Sequence, residues 1–246
     1  MAREFEIQQE VELDATPEEV WEAIATGPGI TSWFMPMTVE PRMGGKITIT
    51  VGDFTDDSAV VTGWAPPHRL TSAAGPEDAR QAFEYLVEAR DGGTAVLRFA
   101  QHGFLGDNWD AEYDGMRGGW EMYFHTLREY LNHFRGRTAT YVSADGPAAS
   151  ADGRAWSVVL AALGLPEDAR DGARVRVSPV GLDPLDGVVD YRGPDHLGLR
   201  TADGLYRFHF RRAFGMPIGV GHHLFSADID QKEHDLAWRS WLQEIF

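Results

Sequence analysis

The strongest constraint on the fold is one long helical stripe that follows a series of short alternating segments. The stripe recurs at the spacing of one face of an α-helix and contains Met116, Trp120, Tyr123, Phe124, Leu127 and Leu131. The preceding segments alternate apolar and polar residues, which is typical of strands with one buried face. A helix stripe and a sheet face must each be buried, so the sequence predicts an α+β fold with a helix packed on an antiparallel sheet.

Local signals place the other elements before this stripe. Apolar residues of one parity predict strands near residues 5–13, 47–51, 60–65, 70–73, 83–87 and 95–99. The turn Asp91-Gly92-Gly93 is expected to join the last two strands into a hairpin. Thr16-Pro17-Glu18-Glu19 has the form of a capping box and predicts a helix from Pro17. We expect Gly27-Pro28-Gly29 to end this helix, and residues 30–35 to form a second helical turn.

The second half of the chain repeats this order in a shortened form. Three landmarks keep their mutual spacing, since Ile47, Val60-Val61 and His68 correspond to Val175, Val188-Val189 and His196. Trp238 corresponds to Trp120 only if the second copy is shorter between His196 and Trp238, which a missing or shortened hairpin would explain. A segment rich in Ala, Ser, Gly and Asp follows Gly136. We therefore predict a first domain at 1–136 and a degenerate second copy at 137–246.

Composition removes several classes of function. The chain has 38 Asp and Glu against 22 Lys and Arg, a formal net charge of −16, so it repels phosphate backbones and anionic lipid. We therefore expect no nucleic-acid partner and no membrane partner. The absence of cysteine excludes disulfides, thiolate zinc sites and thiol nucleophiles. Without an apolar signal segment near the start, a cytoplasmic location is expected.

Sequence motifs for common chemistries are missing as well. The chain contains no GxSxG, no P-loop, no dinucleotide fingerprint after a strand and no HExxH. His222, His223 and His234 lie near Asp228 and Asp230, but their spacing matches no metal-binding pattern. We therefore expect no metal and no cofactor. The acidic residues 107, 110, 112 and 114 are expected to favour the positive end of the long helix rather than catalysis.

An ordered set of residues resembles a known family. The set contains residues 11–23 (VELDATPEEVWEA), Trp33-Phe34 with Pro36, Gly44-Gly45, Trp64 with Pro66-Pro67-His68-Arg69-Leu70, Gln101-His102-Gly103-Phe104 and Gly119-Trp120. Over residues 5–133 it is similar to the activator of heat-shock protein 90 ATPase (AHSA1-like) branch of the SRPBCC, or START-like, superfamily. The resemblance implies a helix-grip fold, in which a curved antiparallel sheet surrounds a long C-terminal helix and an apolar cavity lies between them.

That cavity is the expected binding site. The candidate ligand-binding residues are Trp33, Phe34, Trp64, Phe83, Tyr85, Phe99, His102, Phe104, Trp109, Trp120, Phe124 and Leu127. Each aromatic side chain taken alone is better explained as part of a packed core. So many around one expected cavity favour binding of a small hydrophobic or aromatic molecule.

Two other functions stay open from the sequence. Some members of the superfamily are polyketide cyclases or aromatases, and such an enzyme needs polar groups converging on the cavity. Tyr85, His102 and Glu112 are the candidates for that role, with His102 as acid or base. The other alternative is a chaperone-interacting module that uses an exposed face. The sequence favours a binding protein over an enzyme, because it contains no recognisable catalytic motif.

Overall fold

The computed structural model describes residues 2–76 and 80–246. Packing divides the chain into two compact units. The first unit contains Met1–Tyr113 and Tyr123–Thr138, and the second contains Asp114–Met122 and Ala139–Phe246. The domain boundary near residue 136 stays a prediction, since these units are defined by packing and not by independent folding.

A seven-stranded antiparallel sheet forms most of the first unit. Its strands are β1 (Arg3–Leu13), β2 (Met37–Val39), β3 (Lys46–Val51), β4 (Phe54–Ala65), β5 (Arg69–Ala74), β6 (Gln81–Arg90) and β7 (Thr94–Leu105). The order across the sheet is β1-β7-β6-β5-β4-β3-β2, so the first strand lies beside the last and the others follow as a meander. Its helices are α1 (Pro17–Ala25), α2 (Gly27–Thr31) and α3 (Trp109–His133), of which α3 runs through both units.

The start of α1 follows the sequence prediction. The Thr16 side chain accepts a hydrogen bond from the Glu19 amide, and the Glu19 carboxylate accepts one from the Thr16 amide. The glycine-proline segment behaves differently from the expectation. The Thr26 hydroxyl accepts a hydrogen bond from the Gly29 amide, so Gly27 and Pro28 begin α2 instead of only ending α1. Proline suits the first turn of a helix because its missing N–H is not needed there.

Helix α3 begins at Trp109, earlier than the apolar stripe. Asp110 and Glu112 therefore lie in its first turn, where negative charge is favourable. Two side chains of this first part also cover the free edge of β1. The Trp109 indole N–H donates to the Glu4 carbonyl over 3.3 Å, and the Tyr113 hydroxyl donates to the Glu6 carbonyl over 3.2 Å. These bonds occupy backbone acceptors that an edge strand otherwise leaves open.

The second unit contains a six-stranded antiparallel sheet. Its strands are β8 (Thr140–Asp145), β9 (Arg174–Val177), β10 (Leu185–Arg192), β11 (His196–Thr201), β12 (Gly204–His209) and β13 (Gly219–Leu224). Helices α4 (Ala155–Leu163) and α5 (Gln231–Ile245) accompany it, with short 3-10 turns at Ala148–Ala151 and Arg212–Phe214. The order β8-β13-β12-β11-β10-β9 repeats that of the first sheet without its last edge strand. The prediction of a shortened second copy is confirmed.

Tryptophans of α5 fill the core of the second unit. Trp238 and Trp241 are almost completely buried, with ring centroids 5.4 Å apart. The Phe208 ring of β12 lies 5.8 Å from Trp238 and 6.3 Å from Trp241. The edge strand β8 is also tied to α5, because the Ser143 amide donates to the Asp235 carboxylate over 2.7 Å. Helix and sheet in this unit are therefore joined by a continuous aromatic core.

Among the described residues, no helix combines the length and the apolar character that crossing a bilayer requires.

Candidate functional site

Helix α3 packs on one face of the first sheet, which we call the inner face. The Phe99 ring of β7 lies 5.1 Å from the Phe124 ring of α3, and this contact defines that face. Phe99 pairs across the ladder with Tyr85 of β6, whose ring lies 5.1 Å away. Phe83 and Tyr85 have the same parity on β6, so both side chains belong to the inner face.

A second group of rings connects Phe124 to the segment that follows α2. The Trp33 and Phe124 rings are stacked at 6.0 Å, and the Trp33 indole N–H donates to the Ala23 carbonyl over 2.9 Å. Phe34 lies 5.5 Å from Trp33 and 4.4 Å from Tyr123 of α3. Helix α3 and the segment after α2 therefore join the inner face in one connected aromatic cluster.

The candidate residues differ in how far they are buried. Trp33, Phe99, Phe124 and Leu127 are almost completely buried, and their side chains form packed core. Phe83 and Tyr85 are only half-buried although they lie on the inner face. Trp64 of β4 is also half-buried, and its ring lies 5.0 Å from the ring of Trp21 in α1.

Tyr85 carries a hydroxyl group on this face. Burial raises the pKa of its hydroxyl, so the phenol is neutral and remains a hydrogen-bond donor at neutral pH. Among the described residues, no hydrogen bond joins the hydroxyl of Tyr85, or that of Ser72 on the neighbouring strand, to another group. Ser72 shares the inner face because it pairs with Phe83. Two hydroxyls thus lie on adjacent strands of the inner face.

His102 and Phe104 correct the sequence expectation. Buried and exposed residues alternate along β7, and these two lie on the face opposite Phe99. His102 is exposed, with its Nε2 atom 3.7 Å from the Glu6 carboxylate, and Phe104 retains 39% of its accessible surface. Both line an open cleft of about 600 Å³ together with Glu4, Phe5, Glu6, Arg80, Ala82 and Gly103. Their even parity, opposite to that of Leu97 and Phe99, was the signal against an inward position.

Trp109 lies at the edge of the sheet and not on its inner face. The Trp109 ring stacks on Tyr113 at 4.8 Å, and the Arg3 guanidinium lies 3.9 Å above it. Trp109 therefore covers the edge of β1. It also borders an open cleft of about 320 Å³ with Asp107 and Asp110. Trp120 is 9% exposed and belongs to the part of α3 that groups with the second unit.

Sequence reasoning missed three residues of this region, one on α3 and two on the inner face. Tyr123 was included in the helical stripe but not among the candidates, although its spacing to Leu127 places it on the same side of α3. Ser72 and Gln101 share the parity of their inward neighbours, and both are buried. The Gln101 side-chain amide donates to Gln81 over 2.8 Å. Parity along the strands was the signal for Ser72 and Gln101.

The histidines of the second unit have structural positions. His222 is completely buried, its ring lies 4.3 Å from Trp238, and its Nδ1 atom accepts a hydrogen bond from the Arg207 amide over 3.0 Å. Burial, followed by the positive charge of neighbouring groups, lowers the pKa of His222 well below its usual value. The Arg207 side chain forms a buried ion pair with Asp190 at 2.6 Å. His222, Arg207 and Asp190 stabilise the second sheet. This arrangement requires the His222 imidazole to be neutral.

Comparison with known proteins gives one matching family model and several similar solved structures. The model of the Activator of Hsp90 ATPase homolog 1-like protein family matches residues 14–132. Similar solved structures include protein MLL2253 from Mesorhizobium loti, with 22% identity, a TM-score of 0.47 and coverage of 53% of this chain and 98% of that one. The Aha1 dimer from Colwellia psychrerythraea has 16% identity and a TM-score of 0.46, covering 54% and 99%. CalU16 from Micromonospora echinospora has 24% identity and a TM-score of 0.41, covering 53% and 76%. The search of curated proteins gives no match.

Proposed function

We propose that the first domain binds a small hydrophobic or aromatic molecule between the inner face and α3; the match of residues 14–132 to the model of the Activator of Hsp90 ATPase homolog 1-like protein family supports this proposal. The carrying observation is the half-buried state of Phe83 and Tyr85. Side chains of a filled core have almost no accessible surface, as Phe99 shows with 2%. Aromatic side chains that keep accessible surface beneath a helix support a space next to them that a ligand can fill.

The geometry favours this binding function over the cyclase or aromatase alternative. An acid and a base that act on one bound molecule must both reach it. Tyr85 lies on the inner face and His102 on the opposite face of the same sheet, so the two side chains do not converge. The inner face offers apolar area and hydroxyl groups, which are sufficient for binding a ligand.

Titration with N-phenyl-1-naphthylamine, a neutral apolar probe that fluoresces when bound, tests this proposal. We expect saturable binding to the full chain. Phe83→Arg places a charge on the inner face and should weaken binding at least about ten-fold, since an unpaired charge in an apolar site is costly. Ala82→Arg is the matched control, because Ala82 is the next residue of β6 and faces the other way.

Either of two results contradicts the proposal: no saturable binding to the wild-type protein, or equal losses in the two variants. Circular dichroism and thermal unfolding must first show that both variants are folded. A folded Phe83→Arg variant that binds like wild type places the probe elsewhere.

A further inference from the structure

We infer that the outer face of the first sheet, the face opposite Phe99, is a docking surface for an extended, basic segment of a partner protein. The surface is formed by the even-numbered positions of β1, β7 and β6, which pair with one another across the two ladders. It lies on the other side of the sheet from the inner face, so its test is independent of the proposed ligand binding.

Negative charge is concentrated on this outer face. Its even-numbered positions hold six glutamates against two arginines and one histidine. The glutamates are Glu4, Glu6, Glu10 and Glu12 of β1 and Glu84 and Glu88 of β6. The whole chain also has a formal net charge of −16. A basic segment is therefore attracted from a distance and meets an excess of carboxylates on contact.

The arginines of the outer face leave the ends of β1 uncompensated. Arg98 forms ion pairs with both Glu10, at 2.8 Å, and Glu88. Glu4 and Glu12, near the two ends of β1, are exposed, and no ion pair joins either of them to another described residue. Carboxylates are thus available at both ends of the strand.

An exposed aromatic ring adds an apolar contact at one end of the outer face. Phe104 keeps 39% of its accessible surface and pairs directly with Glu4 across the ladder. Both line the open cleft of about 600 Å³, together with Glu6 and Arg80. Arg80 directly precedes β6, so a positive charge is better accommodated on the β1 side of this cleft. A lysine or arginine side chain there can lay its aliphatic stem on the Phe104 ring and direct its charge toward Glu4.

The spacing of the β1 glutamates matches an extended partner. Side chains two residues apart on a strand project from the same face at intervals of about 6.8 Å. The four glutamates of β1 form two pairs with this spacing, on either side of Gln8. Basic side chains at every second position of an extended segment repeat at the same interval, so successive ones can each face a carboxylate.

Fluorescence anisotropy with a rhodamine-labelled peptide amide of four Lys-Ala repeats tests this surface in the full chain. We expect saturable binding that weakens at least about five-fold when the salt concentration rises from about 50 mM to about 200 mM, because salt screens exposed charges. A peptide of four Glu-Ala repeats should not bind.

Charge-reversal variants locate the binding on the sheet. Glu4→Lys should weaken binding at least about five-fold, since it replaces an attraction with a repulsion. Asp53→Lys makes the same change of net charge in the turn between β3 and β4 and should alter binding less than about two-fold. Circular dichroism must show that both variants are folded, and Glu12→Lys replaces Glu4→Lys if that variant is not.

A second pair of variants tests the aromatic contact. Phe104→Ser should weaken binding about three-fold, the size of one exposed cation–π contact. Phe54→Ser is the matched control, because Phe54 is also an exposed phenylalanine of the first sheet. Equal binding by these two variants contradicts the role of Phe104.

Three results overturn the docking surface itself. The first is the absence of saturable binding of the Lys-Ala peptide. The second is an equal loss in Glu4→Lys and Asp53→Lys, which would mean that only the net charge of the chain matters. The third is equal binding of the Glu-Ala peptide, which would mean that charge does not select the partner.

Discussion

The two units have the same strand order, but they differ in how far the aromatic rings on the helix-facing side of each sheet are buried. In the first sheet one rung runs Leu70, Tyr85, Phe99, and in the second a rung on the face packed against α5 runs Leu197, Phe208, Val220. Tyr85 at the middle of the first rung is half-buried, whereas Phe208 at the middle of the second is completely buried and contacts two tryptophans of α5. The same strand order therefore carries a completely buried ring at one of these positions and a half-buried ring at the other.

The largest expected effect comes from opening the filled core. Trp241→Ala should lower the free energy of unfolding by about 3–5 kcal/mol, because it leaves a large cavity among buried rings. Phe83→Ala in the first unit should cost clearly less, since that side chain is already half-buried. Urea unfolding followed by circular dichroism measures both. A Phe83→Ala cost equal to that of Trp241→Ala would mean that the first interior is packed as tightly as the second.

The second largest effect is a dependence of the second unit on pH. Burial lowers the pKa of His196 to about 4, from an ordinary value near 6.5. The unfolded chain therefore binds a proton more readily, and stability is lost as the pH falls from about 6.5 to about 4. For His196 alone the loss is about 3 kcal/mol.

Unfolding free energies measured over this pH range test that sign. His196→Gln should flatten the slope, whereas His102→Gln should not, because His102 is exposed. An unchanged slope in His196→Gln would mean that other groups set the acid sensitivity. His222, which is buried, and His209, which is half-buried, also have pKa values lowered by desolvation, and would then be the next variants to compare.

The smallest effect concerns the Tyr85 hydroxyl. In the absence of ligand, Tyr85→Phe should change the free energy of unfolding by less than about 0.5 kcal/mol, or raise it, because no hydrogen bond is lost. Tyr113→Phe removes the bond to the Glu6 carbonyl and should cost about 0.5–1.5 kcal/mol. A larger loss for Tyr85→Phe than for Tyr113→Phe would show that the Tyr85 hydroxyl has a stabilising role in the free protein.

Much of the fold could be predicted from local patterns. Alternation along β1 and the capping box of α1 are short-range signals, and both are confirmed. The repeat was visible because landmarks such as Ile47 and Val175 keep their spacing within each copy. The start of α2 was not predicted, because Gly27-Pro28 both ends one helix and begins the next, and the Thr26 cap decides between the two.

The candidate site was harder to predict than the fold. Phe83, Tyr85 and Phe99 occupy odd-numbered positions of their strands. This shared parity predicts that they lie on one face of the sheet, as they do. His102 and Phe104 were included for their residue type and their place near a strand end, although their parity points outward. Whether the Tyr85 and Ser72 hydroxyls form hydrogen bonds depends on what surrounds each of them in three dimensions, and a single sequence carries no signal for that.

The guarded edges of β1 and β8 have a consequence for biogenesis. Two copies of one topology in the same polypeptide are prone to exchange strands during folding, since each copy has a complementary partner at high local concentration. On β1 the Glu4 and Glu6 carbonyls are occupied by Trp109 and Tyr113, and on β8 the Ser143 amide is occupied by Asp235. In each unit the last helix thus forms hydrogen bonds to the edge strand nearest the start of that unit, β1 or β8. These bonds disfavour strand-swapped products during synthesis of the chain.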